Sequence, residues 1–157
     1  MPDKTNAVRL LENSGATFVL HEYEVDPNNL DAKSVAGAVG FEAERVFKTL
    51  VTETDDGEHA VFCIPGTASL NLKKAALAIS AKRVRLLPLK QLEPLTGYIH
   101  GGCSPIGMKR ALPTVIDESA TLFETILVSG GRRGLQVEIS SGFLAEMIRA
   151  PYADVAD

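Results

Sequence analysis

Val46-Phe47-Lys48-Thr49-Leu50-Val51-Thr52-Glu53-Thr54, then Asp55-Asp56-Gly57, then His59-Ala60-Val61-Phe62-Cys63-Ile64 is the stretch on which the fold turns. Both outer runs are rich in β-branched and aromatic residues, and the Asp-Asp-Gly between them is a tight-turn signal. The stretch therefore predicts a β-hairpin with strands over about 46–54 and 59–64. Lys48 is the exception within it. Val46 and Leu50 share its strand face while Phe47, Thr49 and Val51 take the other, so both faces are mostly apolar and the ammonium is partly withdrawn from water. A fold tolerates that cost when the cation has a partner or a task. Burial lowers a lysine pKa and a nearby carboxylate restores the charge. An edge-strand lysine that snorkels to solvent would escape the cost altogether.

Outward from the hairpin the chain alternates helix and strand signals. Asn6 to Asn13 sets Ala7, Val8, Leu10 and Leu11 near helical spacing and is stopped by Gly15, while Thr17 to Tyr23 reads as a strand ending before the turn-forming Asp26-Pro27-Asn28-Asn29. Asp31 caps a second helix that runs through Val39 to Gly40, and Asn71 caps a third through Ile79, after Pro65-Gly66-Thr67 has broken the sheet. Lys82 to Leu87 reads as a short basic strand and Lys90 to Leu95 as a helical turn or two. Thr114 to Asp117, Thr125 to Ser129 and Leu135 to Ile139 complete the strands, with a brief helical stretch from Ser119. The last helix, Ser141 to Arg149, carries Phe143, Leu144, Met147 and Ile148 on one face. Hairpins interspersed with helices predict an α+β protein, a mixed sheet with helices packed around it.

With 157 residues, 45% of them hydrophobic, the chain suits one domain with one core. It holds no apolar run of the roughly 20 residues that span a bilayer, and Met1 to Asn6 has no signal-peptide pattern, so a cytoplasmic protein with no membrane partner is expected. Cys63 and Cys103 lack partners at ligand spacing and are expected to be reduced thiols, with no metal and no cofactor. The net charge of −4 hides an asymmetry: Leu70 to Arg133 carries ten Lys/Arg against four acids, +6, and the remainder six against sixteen, −10. Basic pairs that shared a face would form a phosphate-binding footprint; otherwise they are solvated loop and helix positions.

A second unusual element is Gly101-Gly102-Cys103-Ser104-Pro105-Ile106-Gly107. Its glycines allow backbone N–H groups to approach a ligand, and bare N–H donors opposite a cation suit a carbonyl or an oxyanion. Loops without such a task also use paired glycines. Cys103 has no general base at a recognisable spacing, and His100 precedes the loop as a lone histidine, so neither forms a nucleophile–base pair. A Ser129-Gly130-Gly131 turn followed by Arg132-Arg133 offers a second polar wall, or an ordinary hairpin. P-loop, dinucleotide and Ser/His/Asp signatures are absent.

Taken in order, Val46 to Val51, Leu70-Asn71-Leu72-Lys73-Lys74, Thr96-Gly97-Tyr98, Gly101 to Gly107 and Val128 to Leu135 resemble the bacterial YbaK/EbsC proteins, over nearly the whole chain. Those proteins are similar to the editing domain inserted in bacterial prolyl-tRNA synthetases. The resemblance implies a single editing domain over 1–157, with a mixed, largely antiparallel, barrel-like sheet surrounded by helices. It also implies a trans-editing hydrolase that deacylates mischarged Cys-tRNA(Pro), correcting a synthetase whose pocket discriminates similar-sized side chains weakly. By the same resemblance the essential lysine falls on Lys48, the backbone cradle on Gly101 and Gly102, and pocket positions on Tyr23, Thr49, Ser104 and Ser129, with Leu30 nearest to where many relatives carry an aromatic. Expected partners are the acceptor end of tRNA and prolyl-tRNA synthetase, with Lys73, Lys74, Lys109, Arg110, Arg132 and Arg133 on phosphates. An alanyl-tRNA(Pro) deacylase of the same fold and a non-catalytic tRNA- or synthetase-binding module are the alternatives.

Overall fold

The computed structural model describes residues 4–157. The central hairpin forms as β2 (Phe47–Thr54) and β3 (His59–Pro65), antiparallel, with Lys48 opposite Ile64 and Thr49 opposite Cys63. It is the middle of a five-stranded sheet of order β4-β2-β3-β5-β8, completed by β4 (Val84–Leu86), β5 (Thr114–Asp117) and β8 (Tyr152–Ala153). β5 lies parallel to β3, and β8 parallel to β5. A second, antiparallel sheet has the order β1-β7-β6, from β1 (Phe18–Glu22), β6 (Ile126–Ser129) and β7 (Leu135–Ile139).

Pleat alternation sorts the hairpin between two cores. Phe47 and Cys63 enter the main one with Ile126 and Val128 of β6, Val137 and Ile139 of β7, and residues of α1 (Asn6–Ser14) and α5 (Ser141–Ile148). Phe62 and Ile64 face the other side, beneath Ala75 and Ala76 of α3 (Leu72–Ala78). Phe62 and Ile64 are wholly buried, each worth about 1.5–3 kcal/mol in area removed from water. The expected caps operate: Asp31 accepts from the Ser34 N–H at the start of α2 (Ala32–Val39), and Asn71 from the Lys74 N–H at the start of α3. A short α4 (Leu92–Thr96) leads into the glycine loop. Among the described residues no helix is long and apolar enough to cross a membrane.

Two features of the sheets are not written in the sequence. β8 carries no strand signal of its own; it is a two-residue strand whose pairing comes from β5. Nor do the described sheets close into a barrel. They are joined through the parallel bridge Val46–Leu127, beyond which β6 turns into its own hairpin, the Gly130 N–H going to Leu135 O at 2.9 Å. On the same edge of β2, β4 begins only opposite Thr52. The edge around Thr49, between the Val46–Leu127 bridge and the Leu87 N–H on Val51 O, therefore stays open. The Gly66 N–H on Val46 O and the Leu87 N–H on Val51 O, on opposite sides of β2, fix the alternation, so the N–H and C=O of Thr49 point into this opening.

Candidate active site

The opening between the sheets is the mouth of a cleft of about 390 Å³ lined by Lys48, Thr49, Leu30, Gly101, Cys103, Ser129 and Gln136 among others. β2 supplies Lys48 and Thr49 from opposite faces, because a split between strands exposes a strand edge rather than one face. Lys48 is half-buried; its Nζ donates to Gly66 O at 3.3 Å, and no carboxylate pairs with it among the described residues. Burial holds its pKa below the ordinary 10.5.

Gly101 and Gly102, adjacent in sequence, have different tasks. Gly101 lines the cleft at φ +85°, a left-handed conformation that glycine adopts without strain, and its N–H has no hydrogen bond among the described residues. The Gly102 N–H is already committed to Ile99 O at 2.9 Å. A Cβ there would lie 2.9 Å from Arg132 Cα, Arg132 C and Arg133 N, so Gly102 is where the two glycine loops touch backbone to backbone. Ser104 is also structural. It is fully buried, lies away from the cleft, and accepts the Ile106 N–H at 3.2 Å. The loop is further anchored by the Tyr98 hydroxyl donating to Ile106 O at 2.7 Å and the Lys109 N–H donating to Thr96 O at 2.8 Å.

Of the other expected pocket residues, Leu30, Thr49 and Ser129 line the cleft, whereas Tyr23 lines a neighbouring cavity that shares Leu30 with it. Ser129 Oγ accepts the Gly131 N–H at 3.2 Å. Cys103 does line the cleft, but burial pushes its thiol up to about 11, and burial likewise pushes Cys63 up to about 12. Both are thiols at neutral pH. Gln136 gave no signal in the sequence. It is 5% exposed, and its Oε1, like Thr49 Oγ1, is a buried polar atom without a hydrogen-bond partner among the described residues. Its place in β7, opposite Ser129 of β6, brings it to the cleft.

The basic candidates do not share one face. Lys74 is taken by Asp154 at 3.0 Å and Asp157 at 3.7 Å, so the acidic C-terminal segment neutralises the charge that α3 would otherwise present beside exposed Lys73. Arg132 pairs with Glu22 at 3.4 Å. Arg133 donates from Nε to His100 O at 2.9 Å, and its stem packs over Gly101 at the cleft mouth. Lys109 and Arg110 are exposed on the loop that continues from the glycines.

The sequence profile of the aminoacyl-tRNA editing domain fits residues 26–146, and the chain belongs to that family. Within it, the chain is 42% identical over 152 residues to EbsC of Enterococcus faecalis (strain ATCC 700802 / V583), named as a candidate Cys-tRNA(Pro)/Cys-tRNA(Cys) deacylase; the match covers 97% of this chain and 93% of EbsC. A proline–tRNA ligase of Shouchella clausii (strain KSM-K16) is 29% identical over 115 residues, 73% of this chain but only 20% of the ligase. The solved structure of a candidate trans-editing enzyme for prolyl-tRNA synthetase superposes with a TM-score of 0.82 at 26% identity, covering 97% of both chains. A hypothetical protein at 24% identity, covering 97% of this chain and 99% of its own, shares the fold with a TM-score of 0.88.

Proposed function

We propose that this chain is a free-standing, single-domain cytoplasmic editing enzyme that deacylates mischarged Cys-tRNA(Pro). The observation that carries the reading is the half-buried Lys48 ammonium, held among the described residues only by the Gly66 carbonyl, in one cleft with Gly101, whose N–H is uncommitted among the same residues. The likeness to EbsC supports cysteine as the aminoacyl group. The ester carbonyl oxygen sits between Lys48, the Gly101 N–H and the Thr49 N–H, and becomes an oxyanion as a nucleophile adds. Donors fixed in place grip the developing charge more strongly than the starting carbonyl. The bond to the ribose oxygen then breaks, and that oxygen leaves with a proton. The nucleophile is water or the substrate's own thiol, neither of which needs a protein nucleophile. Labelled oxygen from water in the first-released cysteine identifies the first route, and a free thiolactone the second.

Incubation with Cys-, Ala- and Ser-tRNA(Pro) side by side, following acid-stable charge, tests the reading. The cysteinyl ester is expected to disappear fastest. Faster loss of Ala-tRNA(Pro) would assign the alanyl activity instead, and protection of all three esters would mark a binding module. The phosphates of the acceptor end fall to Arg133, Lys109 and Arg110, so KM should rise with salt. tRNA choice is delegated to prolyl-tRNA synthetase as a partner, and co-sedimentation with that synthetase checks this.

Lys48 must be charged to act, so activity is retained below its folded pKa and lost as pH rises through it. Because that pKa lies below the ordinary 10.5, the alkaline limb of the single-turnover rate should have its midpoint below 10.5. In the same window the unfolded chain binds the extra proton, so fold stability moves the opposite way and rises with pH. Lys48→Arg, which does not titrate there, should remove the limb. A limb unchanged in that variant would detach the titration from Lys48.

The unpartnered Gln136 Oε1 is an acceptor awaiting a donor, and the α-ammonium of an aminoacyl ester provides one. Leaving such an atom unpaired costs about 1–3 kcal/mol. Gln136→Leu keeps the volume and removes the acceptor, so it should raise KM for Cys-tRNA(Pro) about tenfold while leaving the melting temperature level or higher. A lower melting temperature with unchanged KM would make Gln136 a structural residue.

A further inference from the structure

Beside the Lys48 cleft, between the end of β1 and the start of α2, lies a second cavity of about 240 Å³, walled by Tyr23, Val25, Asp26, Asn29 and Ser34. Leu30 and Val35 line both cavities, so the two adjoin across these side chains. The ends of the first cleft differ. At one, Phe47, Cys103, Ser129 and Gln136 are all 8% exposed or less; at the other, Leu30 is half-buried and Asp31 and His100 are exposed. An ester gripped by Lys48 and Gly101 accordingly turns its small amino acid inward and its ribose outward, towards Leu30. The next group along the substrate is the terminal base, and the next space is the second cavity.

We propose that this second cavity binds the 3′-terminal adenine of the aminoacylated strand, with Tyr23 as the stacking wall and the Asn29 side-chain oxygen accepting from the exocyclic amine. The inference rests on the editing reading for the identity of the strand and not for the chemistry of the cavity. Tyr23 is fixed in place: its N–H donates to Gly134 O at 3.0 Å, and it packs against the cluster of Val35, Ala36, Val46 and Leu127. An anchored aromatic is the usual platform for an unpaired base. Asn29 is oriented by Asp26, to which its Nδ2 donates at 2.7 Å and its main-chain N–H at 2.9 Å, leaving its Oδ1 as a free acceptor. The Asp26 carboxylate, held below the usual carboxylate range by hydrogen bonds from Asn29 and Asn28, adds further acceptor character. Adenine presents an amino donor where hypoxanthine presents an oxygen, so an acceptor wall takes the first and rejects the second. Arg133, tied through Nε to His100 O, stands at the cleft mouth with its other nitrogens available to the phosphate on the 5′ side of that nucleotide.

The trinucleotides CpCpA and CpCpI, titrated into the full chain and followed by amide chemical shifts, test this without any turnover. CpCpA is expected to shift Tyr23, Asn29 and Ser34 and to bind about tenfold more tightly than CpCpI. Asn29→Ala, on an exposed turn, should erase the preference. Tyr23→Leu should weaken CpCpA about tenfold, and Tyr23→Phe should restore it, separating stacking from a folding defect. With Cys-tRNA(Pro) the same leucine variant should raise KM while kcat stays within about threefold. Equal binding of CpCpA and CpCpI, or shifts confined to residues outside this cavity, would overturn the base site; if Cys-tRNA(Pro) is still deacylated, the Lys48 reading survives that loss. Occupation of the cavity by CpCpA without cleavage of any aminoacyl ester would uphold the base site and defeat the editing reading.

Discussion

Lys48→Ala should lose at least about a hundredfold in single-turnover deacylation of Cys-tRNA(Pro), the scale on which removing one strong oxyanion donor acts. Gly101 and Thr49 would remain, and two main-chain amides in a wetter cleft do not replace a fixed ammonium. Stability should move the other way. The charge is half-buried, meets only a carbonyl among the described residues, and has its pKa depressed by burial, so the folded state carries a desolvation cost that no ion pair among those residues offsets. Lys48→Met keeps the apolar stem and drops the charge, and is expected to match or exceed the wild-type melting temperature while sharing the activity loss. A structural lysine would instead lower both readouts together. Wild-type rates in either variant would end the assignment, whatever happened to stability.

The parts of this molecule that depend on neighbours in sequence were legible before the fold was known. β-Branched alternation marked the hairpin, the stop at Gly15 marked the end of α1, and the capping side chains of Asp31 and Asn71 marked the starts of α2 and α3, because those signals act within a few residues. Lys48 was legible for the same reason, as a charge that breaks a local pattern. Other features were decided by partners distant in sequence. Lys74 looks free until Asp154 and Asp157 fold back on it, and Ser104 looks like a ligand group until Ile106 claims its hydroxyl. Gln136 reads as a polar residue on an alternating strand, and only the divergence of β6 from β2 places it beside Lys48. Closure of the two sheets turns on the same point. Strand content is written locally, but whether β6 continues along β2 depends on where the Ser129-Gly130 turn begins.

Gly102 and Gly101 separate those two kinds of information, and alanine at each should lose activity by a different route. At Gly102 the backbone needs no left-handed conformation, yet a methyl would press on Arg132 Cα, Arg132 C and Arg133 N at 2.9 Å. Main chain cannot rotate aside as a side-chain end can, so the loops must part. Overpacking of this kind costs about 1–3 kcal/mol, or a melting-temperature drop of about 3–10 °C for a chain of this size. Arg133 and Gly101 shift with the loop, so deacylation should fall more than tenfold although the Gly102 N–H is retained. At Gly101 the added methyl meets Arg133 Nε at 3.1 Å and Leu30 Cδ1 at 3.3 Å, both on flexible side chains, but φ +85° disfavours alanine by roughly 1–2 kcal/mol. That variant should keep more of its stability and lose activity through a tilted amide and a narrowed mouth. Circular dichroism melts of the pair, read beside their deacylation rates, test the division of labour. A Gly102→Ala protein that melts like the wild type would show that the loops are not locked at this contact, and the cradle would then have to be rebuilt around both glycines.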